Sequence, residues 1–177
     1  RVRSSAASDV YKRQVFTSDA TFSAAENQTA IGIVTANDPE GDSFSFSISG
    51  TELSITSSGV LSFTSAPDYE TKAVYSATVT VVDTEDNSAT QDITVNVTNV
   101  NDNSPVFTSN TTFKAEENQT SIGTVTATDE DGDDLTFTIS GSELEITSTG
   151  VLTFIEDPDY ETKSIYTATV NVSDGIN

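Results

Sequence analysis

The chain has 177 residues, 34% of them hydrophobic, with 7 basic residues against 28 acidic ones and a formal net charge of −21. That balance leaves no basic footprint for nucleic acid and disfavours an anionic membrane surface. Cys, His, Met and Trp are all absent, so thiol nucleophiles, Ser-His-Asp chemistry and the usual zinc sites are unavailable, and only oxygen ligands remain, which suit hard cations such as Ca²⁺, Mg²⁺ or Mn²⁺.

Four of the seven basic residues, Arg1, Arg3, Lys12 and Arg13, fall within the first 13 positions. Residues 1–14 therefore differ in composition from everything after them and read as a tail foreign to the fold, a native basic arm being the other reading. No apolar run approaches the ~18–20 residues of a membrane span, and the N-terminus lacks the apolar core of a signal peptide. Any secretion signal or anchor is expected outside this sequence, and no direct membrane insertion is expected of it.

From Val15 onward the chain repeats itself at an offset of 91 residues. Of the 69 positions from Val15 to Asp83, 44 are identical to their counterparts in 106–174, without a gap. Two tandem copies of one domain follow. They are placed at 15–98 and 106–177, with a linker at 99–105 and the second copy stopping before any equivalent of Ala89–Val97.

Within each copy the apolar period is two. Phe44, Phe46 and Ile48 alternate with serines; Tyr75, Ala77, Val79 and Val81 alternate with Ser, Thr and Val; Ile93, Val95 and Val97 alternate with Thr and Asn. That is the pattern of half-buried strands, and the intervening Gly, Asp, Pro and Asn clusters are turns. Seven strands are predicted in the first copy, near 15–23, 30–36, 43–49, 52–56, 59–64, 74–82 and 88–98. The predicted fold is all-β: two tandem Greek-key sandwiches of the immunoglobulin-like kind, the second lacking its last strand.

The acids are not scattered along outward strand positions. Glu26 and Glu117 follow the first strand of each copy, Asp38-Pro-Glu40 and Asp129-Glu-Asp131 follow the second, PDYE (67–70 and 158–161) precedes the sixth, and Asp83 and Asp174 end it. Between the copies lies NVNDN, residues 99–103, with four Asn or Asp residues in five positions. Turns alone favour such residues for backbone reasons, but not their recurrence in the same order in both copies. DEDGDD (129–134) fails as an EF-hand, because Asp134 stands where Gly is required and Ser140 where Glu is required.

This order of motifs resembles that of cadherin repeats, over residues 15–177. Glu26, ATDED (127–131), PDYE, SDG (173–175) and NVNDNSP (99–105) stand where that family has its early Glu, AxDxD, LDRE, xDx and DxNDNxP motifs. The resemblance implies about three Ca²⁺ ions at the single complete junction. Glu26, Asp68, Glu70 and Asp102 would hold the nearer ions. Asn101, Asp129, Asp131 and Asp174 would hold the far one with the backbone carbonyl of Asn103, and the carbonyls of Val100 and of a residue near Asp133 would complete the shells. Ca²⁺ takes six to eight such oxygens in flexible geometry. Asn99 in place of Asp, Tyr69 and Tyr160 in place of Arg, and Glu40 in place of Asp are departures from the pattern. Asp38, Glu40 and Asp83, and likewise Glu117, Asp159 and Glu161, are expected to remain half-sites.

The resemblance further implies an extracellular or cell-surface adhesion protein whose junction Ca²⁺ makes rigid. Its partner would be another adhesin or cell-surface ligand, the same protein included. Close repeats, no cysteine and an acidic Ser/Thr-rich style are in keeping with large bacterial surface adhesins. An accessory carbohydrate- or protein-binding sandwich of a secreted protein is the alternative. No enzyme is expected: paired carboxylates such as Asp68 and Glu70 could suggest a glycosidase, but a small tandem sandwich offers no deep cleft.

Overall fold

A computed structural model describes residues 13–176. The chain divides into two compact units, the first running to Val100 and the second starting at Asn101. Both are all-β, and among the described residues there is no helix, hence none long and apolar enough to cross a membrane.

The described residues of unit 1 form nine strands: β1 (Val15–Phe16), β2 (Thr21–Ala25), β3 (Ala30–Ile33), β4 (Ala36–Asn37), β5 (Phe44–Ile48), β6 (Leu53–Ile55), β7 (Val60–Phe63), β8 (Val74–Asp83) and β9 (Ser88–Thr98). A four-stranded sheet in the order β2-β9-β8-β5 and a three-stranded sheet in the order β3-β7-β6 make the sandwich, with β1 and β4 as a separate pair. Two of the predicted strands are each split. The span 15–23 breaks at 17–20 because β1 pairs with β4 while β2 pairs in parallel with β9, so the chain leaves one partner for another. The span 30–36 breaks into β3, which joins β7, and β4.

Alternation fills the space between the sheets. Val79, Val81, Ile93 and Val95 are almost completely buried, as are Val34 and Leu61 from the facing layer. Phe46 lies beside Val81 in the β5–β8 register and meets the edge of Phe44 at 5.6 Å between ring centres. Gly59, at φ 92°, lies so close to Val34 that a Cβ there would come within 2.2 Å of the Val34 carbonyl oxygen. Only glycine fits both demands. Gly150 repeats the feature against Val125 in unit 2.

Unit 2 contains β10 (Val106–Phe107), β11 (Ser121–Thr124), β12 (Ala127–Thr128), β13 (Thr136–Ile139), β14 (Leu144–Ile146), β15 (Val151–Phe154) and β16 (Val170–Ser173). Its three-stranded layer, β11-β15-β14, copies that of unit 1, including the register shift in the first strand. The other layer is reduced to β13 paired with β16. Residues 112–116, the counterparts of β2, are not a strand, and β8 has its counterpart only in the short β16. The cause is visible in unit 1, where β9 lies between β2 and β8 and bonds to both. No described residue of unit 2 corresponds to β9.

Candidate metal centre

In unit 1 the acids at the end of β2 and in PDYE form one connected set. Glu26 follows β2 directly, and its own N–H donates to the carbonyl of Thr98 at 3.2 Å. Asn27 turns the chain at φ 61° and donates to the Pro67 carbonyl at 3.0 Å. The Glu26 side chain is thereby buried, with 4% of its surface exposed. Its Oε2 accepts the N–H of Tyr69 at 2.7 Å and its Oε1 accepts the N–H of Val100 at 2.8 Å. One carboxylate ties PDYE to the start of the linker.

Asp68 is exposed, and the N–H and hydroxyl of Thr71 donate to it at 3.0 and 2.9 Å, which holds its carboxyl below the usual aspartate value. Asp159 is held low in the same way by Thr162. Glu70 is exposed.

A second acidic set of unit 1 is built around Asp38 and Asp83, both buried. Asp38 Oδ1 closes the turn by accepting the N–H groups of Glu40 and Gly41 at 2.7 and 3.0 Å. Asp83 Oδ1 does the same for Glu85 and Asn87, at 2.9 and 2.8 Å. Between the two carboxylates sits the amide of Gln14, itself 3% exposed, whose Nε2 donates to Asp38 Oδ2 at 2.9 Å and to Asp83 Oδ2 at 2.7 Å. The Gln14 bond is the chief cause that lowers the Asp38 pKa, with the backbone donors adding to it against the effect of burial. At Asp83 burial is the largest influence and pushes upward, but the bonds from Asn87, Gln14 and Glu85 together prevail and the pKa is lowered. Asp42 is raised, chiefly by the negative charge of Glu85.

Sequence reasoning missed Gln14. It stands 91 positions before Pro105, a residue without a side-chain donor. A lone amide before the first strand carries no pattern by which it could have been found.

In unit 2 the linker residues meet the acids that follow β12. Asp131 Oδ2 accepts the N–H groups of Asp102 and Asn103 at 3.1 and 2.7 Å, and its Oδ1 accepts the Asn103 amide at 3.2 Å. Asp129, Asp131 and Asp133 each place a carboxylate oxygen within 4.8 Å of the others. Asp174, just past β16, accepts the N–H of Ile176 at 2.8 Å. Glu117, Asp159 and Glu161 form another exposed group within the same spacing.

Asp129 tests the fit of a cation. Both of its carboxylate oxygens are buried and accept no hydrogen bond from the described residues. A carboxylate withdrawn from water needs a compensating donor or cation, and its nearest acidic neighbours are themselves anionic acceptors. Such an all-oxygen donor set, two carboxylates strong beside it, suits a hard divalent cation. Asp102 and Asn103 are held to Asp131 by the N–H bonds given above, and Asn101 belongs to the same unit.

Known proteins resemble this chain in sequence and in architecture. A family model described as a bacterial Ig domain matches residues 13–96. Cadherin-99C of Drosophila melanogaster is 32% identical over 172 residues, covering 85% of this chain and 10% of the relative. Human protocadherin Fat 4 is 34% identical over 128 residues, covering 65% of this chain and 3% of the relative. The chain thus spans a tenth or less of these two relatives. Among solved structures, mouse cadherin-23 EC22-24 superposes with a TM-score of 0.73 at 23% identity, covering 92% of this chain and 59% of the other.

Proposed function

We propose that this chain, built of cadherin-like repeats, is a stretch of an extracellular cell-adhesion protein whose repeat ends and linker are organised by Ca²⁺. Glu26, Asp68, Glu70 and Asp102 would hold the ions nearer unit 1. Asn101, Asp129, Asp131 and Asp174, with the Asn103 carbonyl, would hold a further ion, and the carbonyls of Val100 and of a residue near Asp133 would complete coordination. About three ions are proposed. The observation that carries this reading is the buried, unpartnered carboxylate of Asp129 beside Asp131 and Asp133.

Bound Ca²⁺ would cancel the mutual repulsion of these carboxylates and supply the partner that Asp129 lacks. The protein's part is already in place: Asp131 gathers the linker backbone at Asp102 and Asn103, and Glu26 fixes Val100. A linker held in this way would stiffen, which suits a surface protein that holds a binding tip away from the cell. The adhesive partner is a cell-surface ligand, with homophilic pairing one form of it. The accessory-module reading gains nothing from unit 1, where Tyr69 is the one exposed ring among the described residues.

Calorimetric titration with Ca²⁺ tests the reading. Saturable binding of about three ions in the range of extracellular modules, ~0.1–1 mM, reduced in Asp129→Ala and Asp102→Ala, is the expected result. Heats indistinguishable from those of Mg²⁺ dilution, or binding untouched by both substitutions, would refute it.

A further inference from the structure

By the 91-residue offset, Asp38 and Asp83 of unit 1 correspond to Asp129 and Asp174 of unit 2, and Gln14 corresponds to Pro105. The two copies differ in how the first of these acids is satisfied. In unit 2 both carboxylate oxygens of Asp129 are buried and accept nothing from the described residues. In unit 1 Asp38 Oδ2 accepts an N–H of Gln14 at 2.9 Å, and the same amide nitrogen donates to Asp83 Oδ2 at 2.7 Å. Pro105 has no side-chain N–H to offer its own copy.

The Gln14 nitrogen stands where a bridging cation would. Each Oδ1 is already taken by backbone N–H groups of its own turn, those of Glu40 and Gly41 on Asp38 and those of Glu85 and Asn87 on Asp83. The two Oδ2 atoms are left to share one point between them, with the Asn87 amide adding a bond to Asp83 Oδ2 at 2.9 Å. Ca²⁺ lies roughly 2.3–2.6 Å from such oxygens, only a few tenths of an ångström inside the distances the nitrogen keeps. An NH₂ group carries two N–H bonds and serves both carboxylates at once. Glu85 adds negative charge nearby, which is the chief cause that raises the Asp42 pKa.

The other atom of the amide completes the argument. Gln14 Oε1 is buried and accepts nothing from the described residues, an arrangement that costs free energy. The reverse orientation would set Oε1 against two anionic acceptors, which only a cation between them permits. The orientation with nitrogen inward belongs to an end closed by hydrogen bonds.

We propose that the Gln14 amide is a cation substitute, closing the Asp38–Asp83 end of unit 1 so that this end neither needs nor takes up Ca²⁺. The calcium reading concerns other residues, and the proposal stands whether or not that reading holds.

A Ca²⁺ titration of the isotope-labelled chain, followed by NMR, separates the two. In the wild-type protein the side-chain NH₂ of Gln14 and the backbone amides of Glu40, Gly41, Glu85 and Asn87 should stay unmoved up to ~1 mM Ca²⁺. Gln14→Glu puts a third carboxylate in place of the donor. The same backbone amides should then shift saturably at or below ~1 mM, and unit 1 should gain more melting temperature from Ca²⁺ than in the wild type. A Gln14→Glu chain that folds only with Ca²⁺ present would be the same result in stronger form. Adding Asp83→Asn to Gln14→Glu should weaken this binding by about tenfold or more, because affinity follows the number of charged ligands. Saturable shifts of these groups in the wild type would overturn the proposal, since the cation would then displace the amide. So would a Gln14→Glu chain indifferent to Ca²⁺, or one that folds neither with nor without it. The amides of Asp102, Asn103 and Asp131 report the calcium reading in the same titration, and their silence would strike that reading while the Gln14 site is judged by its own signals.

Discussion

Glu26 and Val100 are 74 residues apart in sequence, and the buried Glu26 carboxylate accepts the Val100 N–H at 2.8 Å. The same carboxylate accepts the N–H of Tyr69 through its other oxygen, so one side chain links the end of β2, PDYE and the start of the linker. Its counterpart Glu117 is exposed and keeps only the bond to Tyr160, at 3.1 Å, among those found for the described residues. The contrast follows the presence of β9, whose end delivers Val100.

Glu26→Ala should therefore do more than remove one ligand. It strips acceptors from two backbone N–H groups, each costing about 1–3 kcal/mol if left unpaired in a buried position. The expected outcome is a clear drop in the unit 1 melting temperature even in chelator, where Asp102→Ala is nearly silent. Glu117→Ala should shift the melt far less. Differential scanning calorimetry of the three variants checks it.

Gln14→Ala should open the Asp38–Asp83 pair. Two buried carboxylates lose a shared donor, and unit 1 should melt lower by roughly 5 °C near neutral pH.

The pH dependence has a definite sign. Asp38, Asp83 and Asp68 are all held below the usual aspartate value of 3.8, so their contribution is fully present above that value and is lost as pH falls through the lower folded values. Asp42, raised chiefly by Glu85, works the other way: protonation on acidification relieves a repulsion. Three lowered groups against one raised should leave unit 1 at full stability above the usual aspartate value and progressively weaker as pH falls below it. In Gln14→Ala the fall should begin at higher pH. Circular dichroism melts between pH 3 and 7 would reveal both.

Leu61→Ala and Leu152→Ala are the same substitution in two copies of one domain. Leu61 is fully enclosed, and its truncation should cost about 2–5 kcal/mol. Leu152 borders an open groove in unit 2, where removed atoms leave less of a closed cavity, and its cost should fall at or below about 2 kcal/mol. Urea denaturation of each variant measures the difference.

The strands were legible because alternation survives in a single sequence: Phe44-x-Phe46-x-Ile48 is β5, and Ile93, Val95 and Val97 are the buried side of β9. The break between β1 and β2 was not legible. It depends on β1 finding β4 and β2 finding β9, and neither pairing leaves a trace in local composition. Among the acids, recurrence in both copies drew attention to Glu26, Asp129 and Asp131, but not to which of them hold backbone groups. Gln14 had no signal at all, because its role exists only once Asp38 and Asp83 are brought to it. The loss of the β2 counterpart in unit 2 was likewise hidden, since TTFKA (111–115) keeps the Phe and the last Ala of ATFSA (20–24), and strand pairing depends on a neighbour that local composition does not show.

Thermal unfolding of the chain with increasing Ca²⁺, against a chelated sample and Asp129→Ala, is the most direct measurement of the calcium reading. Cation bound to N and not to the unfolded chain should raise the melting temperature in proportion to the logarithm of concentration above ~1 mM. That rise should be largely lost in Asp129→Ala, while the two proteins melt alike, or the variant slightly higher, in chelator. A melting temperature indifferent to Ca²⁺, or a rise of equal size in Asp129→Ala, would contradict it.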